Sequence, residues 1–266
     1  MKTERERMFI DTAVKAARLA GKYLLDKLGT ISRDDISLKQ TSDFVTRVDR
    51  ESEQIILNTI GDAFPDHRFL TEESIHDREA ERYRRIIDPL DGTTNYIHRY
   101  PVFCLSIALE FKRELIVGVV YDPLRDDLFT AEKGRGAFHN GNRISVSSTV
   151  SLGECLITTG FPFRRKHMID PYLALFKNIF LKISDLRRAG SAALDLAYLA
   201  CGRCEAFFEI GLSPWDIAAG AVLIQEAGGV ITDFEGGPDY LRSGNVVAGN
   251  PAVHKKLLRE VKKVFR

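Results

Sequence analysis

Apolar residues recur along the first part of the chain with the spacing of helices. Residues 5–28 carry an apolar or small side chain at every third or fourth position, which predicts an amphipathic helix that Gly29 ends. The same spacing over 51–64 predicts a second helix, and Pro65 ends it because proline cannot continue the hydrogen-bonding pattern. The amino-terminal part of the chain is therefore expected to be largely helical.

From residue 67 onward the pattern changes to short apolar runs that are typical of strands. These runs cover 67–72, 84–88, 102–111, 115–122 and 127–132. The next segment, 139–146, contains Asn140-Gly141, a pair that suits a two-residue primed turn and predicts a tight hairpin. The middle of the chain is therefore expected to form a sheet.

The second half of the chain alternates between the two patterns. Strand-like runs lie at 155–161, 205–210 and 246–250, and helical patterns lie at 171–183, 190–200, 215–229 and 252–265. Together with the first half, this indicates an α/β protein with layered sheets. We predict a single unit over 1–266, divided near residue 148 into halves 1–148 and 149–266.

Composition and charge narrow the class of function. The chain has 266 residues, 44% of them hydrophobic, and a net charge of +1, so no overall field favours nucleic acid or an acidic membrane. Its longest apolar runs, such as 115–120, are too short to span a bilayer, and its charged amino terminus lacks the apolar core of a signal peptide. Four cysteines are too few for a disulfide scaffold at this length, so we expect a reduced, cytoplasmic protein.

Two common kinds of site are disfavoured by the motifs of the chain. The C-x-x-C of Cys201 and Cys204 has no second pair and no suitably spaced histidine, so zinc is not expected, and a redox role for the pair stays open. Neither a G-x-G-x-x-G nor a Walker-type loop is present, which argues against an enzyme that uses a nucleotide cofactor.

The stretch IIDPLDGTTN, residues 86–95, places two carboxylates at the end of an apolar strand. Pro89 disfavours helical geometry at Asp88, so the strand is expected to end there, and Pro89 and Gly92 then bracket a tight turn that folds Asp91 back beside Asp88. Close carboxylates repel each other, and a divalent cation removes that penalty. Oxygen ligands without nearby Cys or His favour magnesium. A purely structural alternative, with Asp88 capping a turn and Asp91 facing water, stays open.

The residues that follow add a candidate anion site. Gly92, Thr93 and Thr94 lie where a turn or helix begins, and free backbone N–H groups at such a point can hold a phosphate oxygen. Metal carboxylates beside an N–H cradle predict phosphate-ester chemistry.

Three further acidic positions can join this site. Glu72 and Glu73 follow another apolar strand, so one of them could reach the same metal cluster. Asp216 opens a helix that is apolar over 217–224 and therefore buried, where a carboxylate serves as a cap or as a metal ligand. Asp49 lies just before a helix and is interpreted either as a cap or as a residue that helps to position an attacking water.

These stretches occur together and in one order that resembles a known family. The matching stretches are D-P-x-D-G-T-x-N at 88–95, W-D-x-A-A-G at 215–220, and the segments 64–67, 160–164, 187–198 and 226–229. They resemble the inositol monophosphatase family of magnesium-dependent, lithium-sensitive phosphatases, and most closely its bacterial inositol-1-monophosphatase branch. The resemblance implies a layered α-β-α-β-α sandwich, a homodimer, and two or three magnesium ions per site.

The resemblance also implies a role for individual residues. The implied metal ligands are Glu72, Asp88, the Leu90 carbonyl, Asp91 and Asp216. The implied catalytic residues are Glu72 and Thr93, which orient the attacking water, with Asp49 supporting Thr93. The implied substrate contacts are Leu90, Asp91, Gly92, Thr93, Arg187, Ala192, Glu209 and Asp216. On this view the first half holds metal and phosphate, and the second half supplies Asp216 and further substrate contacts.

The expected reaction is hydrolysis of a phosphate monoester, myo-inositol 1-phosphate in the leading hypothesis, by metal-activated water and without a covalent enzyme intermediate. Two enzymatic alternatives stay open, fructose-1,6-bisphosphatase and nucleotide 3′-phosphatase activity, because the pocket for the alcohol part of the substrate is difficult to predict from the sequence. A third alternative is a non-catalytic interaction protein that has the same fold and binds nucleic-acid machinery. No sequence feature supports this alternative.

Overall fold

The computed structural model describes residues 4–30, 36–40, 43–74 and 82–265. The helices in these ranges are α1 (Glu4–Lys27), α2 (Arg47–Ala63), α3 (Thr93–Ile97), α4 (Ile169–Phe180), α5 (Ala192–Ala200), α6 (Pro214–Glu226), α7 (Tyr240–Ser243) and α8 (Pro251–Val264). None of the helices in the described residues has both the length and the hydropathy that crossing a bilayer requires.

The strands form three sheets. A hairpin of β1 (Ile36–Gln40) and β2 (Asp43–Thr46) stands apart from two larger sheets. The first larger sheet has the order β3 (Arg68–Thr71), β4 (Tyr83–Asp91), β5 (Cys104–Phe111), β6 (Glu114–Asp122), β7 (Asp127–Glu132), β8 (Gly136–His139) and β9 (Asn142–Ile144), and only its β3–β4 pair is parallel. The second has the order β11 (Asp185–Arg187), β10 (Leu156–Thr159), β12 (Ala206–Glu209), β14 (Val246–Gly249) and β13 (Val230–Thr232).

Alternating side chains of each sheet build the cores between layers. In β5, Leu105 and Ile107 pack with α1 and α2, whereas Ala108 on the opposite face packs with α5 and α6. In β12, Phe207 faces α5 and α6, and Phe208 faces α4 and α8. The order of layers is therefore helices, seven-stranded sheet, helices, five-stranded sheet, helices, and the predicted α-β-α-β-α sandwich is confirmed.

Helix α6 lies in the layer between the two sheets and touches the first sheet at a glycine. A Cβ atom added to Gly118 in β6 would lie 2.5 Å from the carbonyl oxygen of Ala219 in α6. The residues around Ala219 are apolar and fully buried, as the sequence predicted for a helix without a polar face. The close backbone approach fixes the height of α6 above the sheet, and with it the position of Asp216 in the first turn.

The start of one helix differs from the sequence-based expectation. Helix α2 begins at Arg47 and not at residue 51, because Thr46 serves as its N-cap and forms a capping box with Asp49. Asp49 therefore lies inside the first turn and not before the helix. The short strands β11 and β13 were not predicted, since three residues carry too little periodicity, whereas α3 begins at Thr93, where the sequence indicated the start of a turn or helix. The hairpin at Asn140-Gly141 is confirmed, with positive φ at both residues.

Candidate metal and phosphate site

An irregularity in strand β4 brings Asp88 and Asp91 to the same side of the sheet. Asp88 pairs with Ser106 and Asp91 with Cys104, so β4 has one residue more than β5 between these pairs. Without this bulge, residues three apart would point to opposite faces. The expectation that the strand ends at Asp88 is wrong, because β4 continues to Asp91. Pro89 is tolerated in the bulge, where the ladder is interrupted.

A third carboxylate joins this pair from the far half of the chain. Carboxylate oxygens of Asp88, Asp91 and Asp216 all lie within 4.8 Å of one another. Asp216 also caps α6, since its Oδ2 accepts a hydrogen bond from the backbone N–H of Ser213 at 2.7 Å. The two interpretations of Asp216 as cap or cluster member are therefore compatible, because one carboxylate has four lone-pair directions.

The N-terminus of α5 holds Asp91 in place. Its Oδ2 accepts hydrogen bonds from the Ser191 hydroxyl and from the backbone N–H of Ala193, both at 2.7 Å. Ser191 is the N-cap of α5 and is buried. Sequence reasoning missed this residue, although a serine before the apolar run of residues 192–200 is a helix-start signal.

Helix α2 supports the site from the other side. Thr93 Oγ1 lies 2.8 Å from Asp49 Oδ1, and the Ser52 hydroxyl donates to the Pro89 carbonyl at 2.8 Å. Glu53 accepts a hydrogen bond from the backbone N–H of Glu73 at 3.0 Å. One face of α2 therefore fixes the bulge, Thr93 and the loop that contains Glu72.

The acidic cluster and the Gly92-Thr93 segment line one cavity of about 280 Å³. The predicted site residues at its wall are Glu72, Asp88, Leu90, Asp91, Gly92, Thr93, Ala192, Glu209 and Asp216. Asp49 lies behind Thr93. Arg187 does not line this cavity, since its guanidinium pairs with Asp185 at 2.5 Å, and the neighbouring Arg188 lines the cavity instead.

Gly92 closes the bulge with a backbone that other residues rarely adopt. Its φ is +97°, and a Cβ there would lie 2.9 Å from the carbonyl oxygen of Val102. The glycine is therefore required by the tight fit against neighbouring backbone. It precedes Thr93, where α3 begins with N–H groups that have no partner within the helix.

Mutual repulsion and burial dominate the electrostatics of the cluster. Burial raises the pKa of Asp88 well above its usual value, and the charges of Glu72, Asp91 and Asp216 raise it further. Burial and the charge of Asp216 raise the pKa of Asp91 to about 7, although the hydrogen bonds from Ser191 and Ala193 oppose the shift. The cluster resists holding all its charges unless a cation compensates them.

Glu209 presents a buried carboxylate to the same cavity. Gly160 makes room for it, because a Cβ there would overlap the Glu209 carboxylate at 2.0 Å. Its side chain lines the cavity. Burial raises the pKa of Glu209 to about 8, and the nearby Arg188 limits that rise.

Glu209→Gln is expected to flatten the pH dependence of stability. The folded pKa of Glu209 lies above the ordinary glutamate value, so between pH 4.5 and 8 the folded state keeps a proton that the unfolded state has lost. Its contribution to stability therefore falls as the pH rises through this window, by up to ~1.4 kcal/mol per pH unit. Urea unfolding of the wild type and of Glu209→Gln in EDTA at pH 5 to 8 measures how the free energy of unfolding changes with pH. Equal slopes for the two proteins would refute the raised pKa of Glu209.

Arg164 reaches the cluster from the short 3₁₀ turn Phe163–Met168. Its Nη1 lies 3.0 Å from Asp216 Oδ2 and its Nη2 lies 3.3 Å from Glu72 Oε1. Sequence reasoning gave this residue no role, although it ends the 160–164 stretch that carried part of the resemblance. Glu72 is thereby tied to the rest of the cluster through a cation.

The donor set fits a hard divalent cation. The groups that converge are carboxylates, with no cysteine or histidine among the three that lie closest. Magnesium and calcium prefer such oxygen ligands, and their charge offsets the burial and the repulsion that raise the pKa of Asp88 and Asp91.

Comparison with known proteins identifies the family. The sequence model described as the inositol monophosphatase family matches residues 6–265. The chain belongs to the inositol monophosphatase family. The resemblance drawn from the sequence motifs is therefore confirmed.

Individual relatives cover nearly the whole chain. A protein named Nus factor SuhB from Salmonella typhimurium (strain LT2) is 47% identical over 251 residues, which are 94% of both chains. The crystal structure of extragenic suppressor protein suhB from Bartonella henselae is 44% identical with a TM-score of 0.91, over 96% of this chain and 98% of that one. The inositol monophosphatase from Anabaena (Nostoc) sp. PCC 7120 is 40% identical with a TM-score of 0.87, over 97% and 96%. The family thus includes relatives named for two different roles.

Proposed function

We propose that this member of the family is a magnesium-dependent phosphate monoesterase that hydrolyses myo-inositol 1-phosphate. The observation that carries the proposal is the convergence of Asp88, Asp91 and Asp216 within 4.8 Å beside the Gly92-Thr93 backbone. Two or three magnesium ions would be held by Glu72, Asp88, the Leu90 carbonyl, Asp91 and Asp216. When bound, they supply water activation and charge neutralisation at the phosphoryl group.

Thr93 and Glu72 would orient the attacking water. When the Thr93 hydroxyl donates its proton to Asp49, at 2.8 Å, the threonine oxygen keeps its lone pairs for a hydrogen bond from water. Asp49 is fully buried and held by the capping box of α2, so this orientation is rigid. The N–H groups of Gly92 and Thr93 would receive phosphoryl oxygens.

The alcohol part of the substrate would lie against the second half of the chain. Glu209 and the backbone at Ala192 line the cavity, and the buried Glu209 side chain suits a hydrogen bond with a substrate hydroxyl. Ordered contacts to neutral hydroxyls favour a polyol phosphate over an ester with a plain alkyl group. The position of Arg187 outside this cavity gives its proposed substrate contact no support.

A panel of phosphate esters tests the proposal. The purified full-length protein is expected to hydrolyse myo-inositol 1-phosphate faster than fructose 1,6-bisphosphate or a nucleoside 3′-phosphate, and to lose activity in EDTA. Lithium is expected to inhibit by replacing a loosely held magnesium ion. Release of inorganic phosphate measures each rate. A faster rate on a bisphosphate or nucleotide would transfer the assignment to that substrate, and no rate on any ester with magnesium would reject phosphatase function.

An interaction role is the second candidate function. It is favoured by one observation, that curated relatives at 46–47% identity are named Nus factors. As a test, the wild-type protein and the Asp88→Asn variant would each be used to capture partners from a cytoplasmic extract of the source organism. Retention of the same nucleic-acid-associated partner by both would support this role. We also propose a homodimer, which sedimentation velocity would test.

A further inference from the structure

Arg164 contacts two of the carboxylates that the proposed function assigns to metal. Its guanidinium spans Asp216 and Glu72, with N–O distances of 3.0 and 3.3 Å. These carboxylates come from distant parts of the chain, one from the first turn of α6 and the other from the loop after β3. The planar fork of arginine has the geometry to contact two carboxylates at once.

The contact stabilises an otherwise repulsive arrangement. Carboxylate oxygens of Asp88, Asp91 and Asp216 lie within 4.8 Å of one another, so the cluster gains from any positive charge placed against it. The carboxylates of Glu72 and Asp216 are only 10% and 5% exposed, which limits screening by water. Arg164 is the cationic partner that the protein itself supplies.

Arg164 and a divalent cation compete for the same carboxylate oxygens. A cation bound by Glu72 and Asp216 would face the guanidinium at short range, where two positive charges repel strongly. The Arg164 side chain is 23% exposed and belongs to a turn at the cavity wall, so it can withdraw towards solvent. Loading of the metal is thus coupled to release of this arginine.

We propose that Arg164 is a built-in competitor that sets the affinity of the site for divalent cations. In the cation-free protein it bridges Glu72 and Asp216, and it yields when the cation takes these ligands. The inference rests on the proposed function, since it requires that the acidic cluster is the metal site.

Calorimetric titration of the cation-free, full-length protein with magnesium tests the proposal without measuring turnover. Arg164→Gln is expected to bind magnesium about threefold to tenfold more tightly than the wild type, the size of a partly exposed ion pair. Arg164→Lys is expected to lie between the two, because an ammonium group contacts one carboxylate and not both. Arg165→Gln is the matched control, since it removes the same charge from the next residue, whose side chain donates to the Ser243 carbonyl.

Thermal unfolding supplies a second measurement. Without magnesium, Arg164→Gln is expected to melt at a lower temperature than the wild type, because the acidic cluster loses its internal cation. Added magnesium is expected to raise its melting temperature by more than that of the wild type. Arg164→Lys keeps a positive charge near the cluster and provides a folded variant for the titration if the glutamine variant does not fold.

The outcomes separate this inference from the proposed function. Unchanged or weaker magnesium binding in Arg164→Gln, with clear binding in the wild type, would overturn the role of Arg164 and leave the metal site standing. An equally large gain in magnesium affinity in Arg165→Gln would show that the effect comes from net charge alone, and it would also overturn the role of Arg164. A wild-type protein that binds no magnesium would overturn the metal site itself.

Discussion

Asp91→Asn is expected to lower phosphatase activity by on the order of 10³-fold, which corresponds to ~4 kcal/mol of transition-state stabilisation. Asp91 lies at the centre of the cluster with Asp88 and Asp216, and in the proposed function it is a metal ligand and a substrate contact. An amide oxygen is a weaker and neutral ligand, so magnesium affinity is expected to fall together with the rate. Titration calorimetry and phosphate release measure the two quantities.

The same substitution is expected to preserve the fold. The hydrogen bonds from Ser191 and Ala193 end on a single oxygen, which an asparagine side chain can also supply. Because burial and Asp216 raise the pKa of Asp91, its removal relieves repulsion in the cation-free protein, and the melting temperature should hold or rise. Asp62→Asn, at an exposed position of α2, removes the same charge and should change neither activity nor magnesium binding. Near wild-type turnover in Asp91→Asn would reject the metal site.

Gly118→Val is expected to lower the free energy of unfolding by about 3 kcal/mol or more. A Cβ at this position would meet the Ala219 carbonyl at 2.5 Å, and backbone of a buried helix cannot rotate away as a side chain could. Valine has a high preference for strands, so the loss cannot be attributed to local propensity. Because α6 carries Asp216, the variant is also expected to lose phosphatase activity.

Urea unfolding of Gly118→Val and of a matched glycine variant measures this effect. Gly61 lies within α2, and among the described residues an added Cβ would have no atom within 4 Å apart from its chain neighbours and the backbone of its own helix. Gly61→Ala is therefore expected to leave stability unchanged or to raise it by up to ~1 kcal/mol, since alanine favours the helix. Equal stability of Gly118→Val and the wild type would show that α6 does not depend on this contact.

The layers of the fold could be read from local patterns because periodicity reports burial directly. The nearly continuous apolar run in 102–111 reflects two apolar faces of β5, and the apolar run after Asp216 reflects a helix covered on all sides. Short elements such as β13 were not predicted, since their three residues pair only because a neighbouring strand is already in place. The early start of α2 depended on a cap at Thr46 that the apolar pattern did not reveal.

The parts of the candidate site that depend on the register of strand pairing were harder to predict from the sequence. Asp88 and Asp91 were predicted to meet through a tight turn after the strand, whereas they meet through a bulge within it. A bulge is decided by pairing with β5, which lies more than ten residues further along the chain. The contacts of Ser191 and Arg164 with the acidic groups likewise join residues that are at least 52 positions apart in the chain.

The sequence by itself determined which residue types were present and which short spacings joined them: carboxylates, a glycine-threonine turn, and apolar segments long enough to bury both. Only the tertiary structure decided that Asp216 lies next to Asp91, and that Arg164 pairs with Asp216. The physical reason is that local patterns report how each segment is buried. The distance between two charges more than 100 residues apart depends on how the buried faces of α6, β6 and the helix layer pack together.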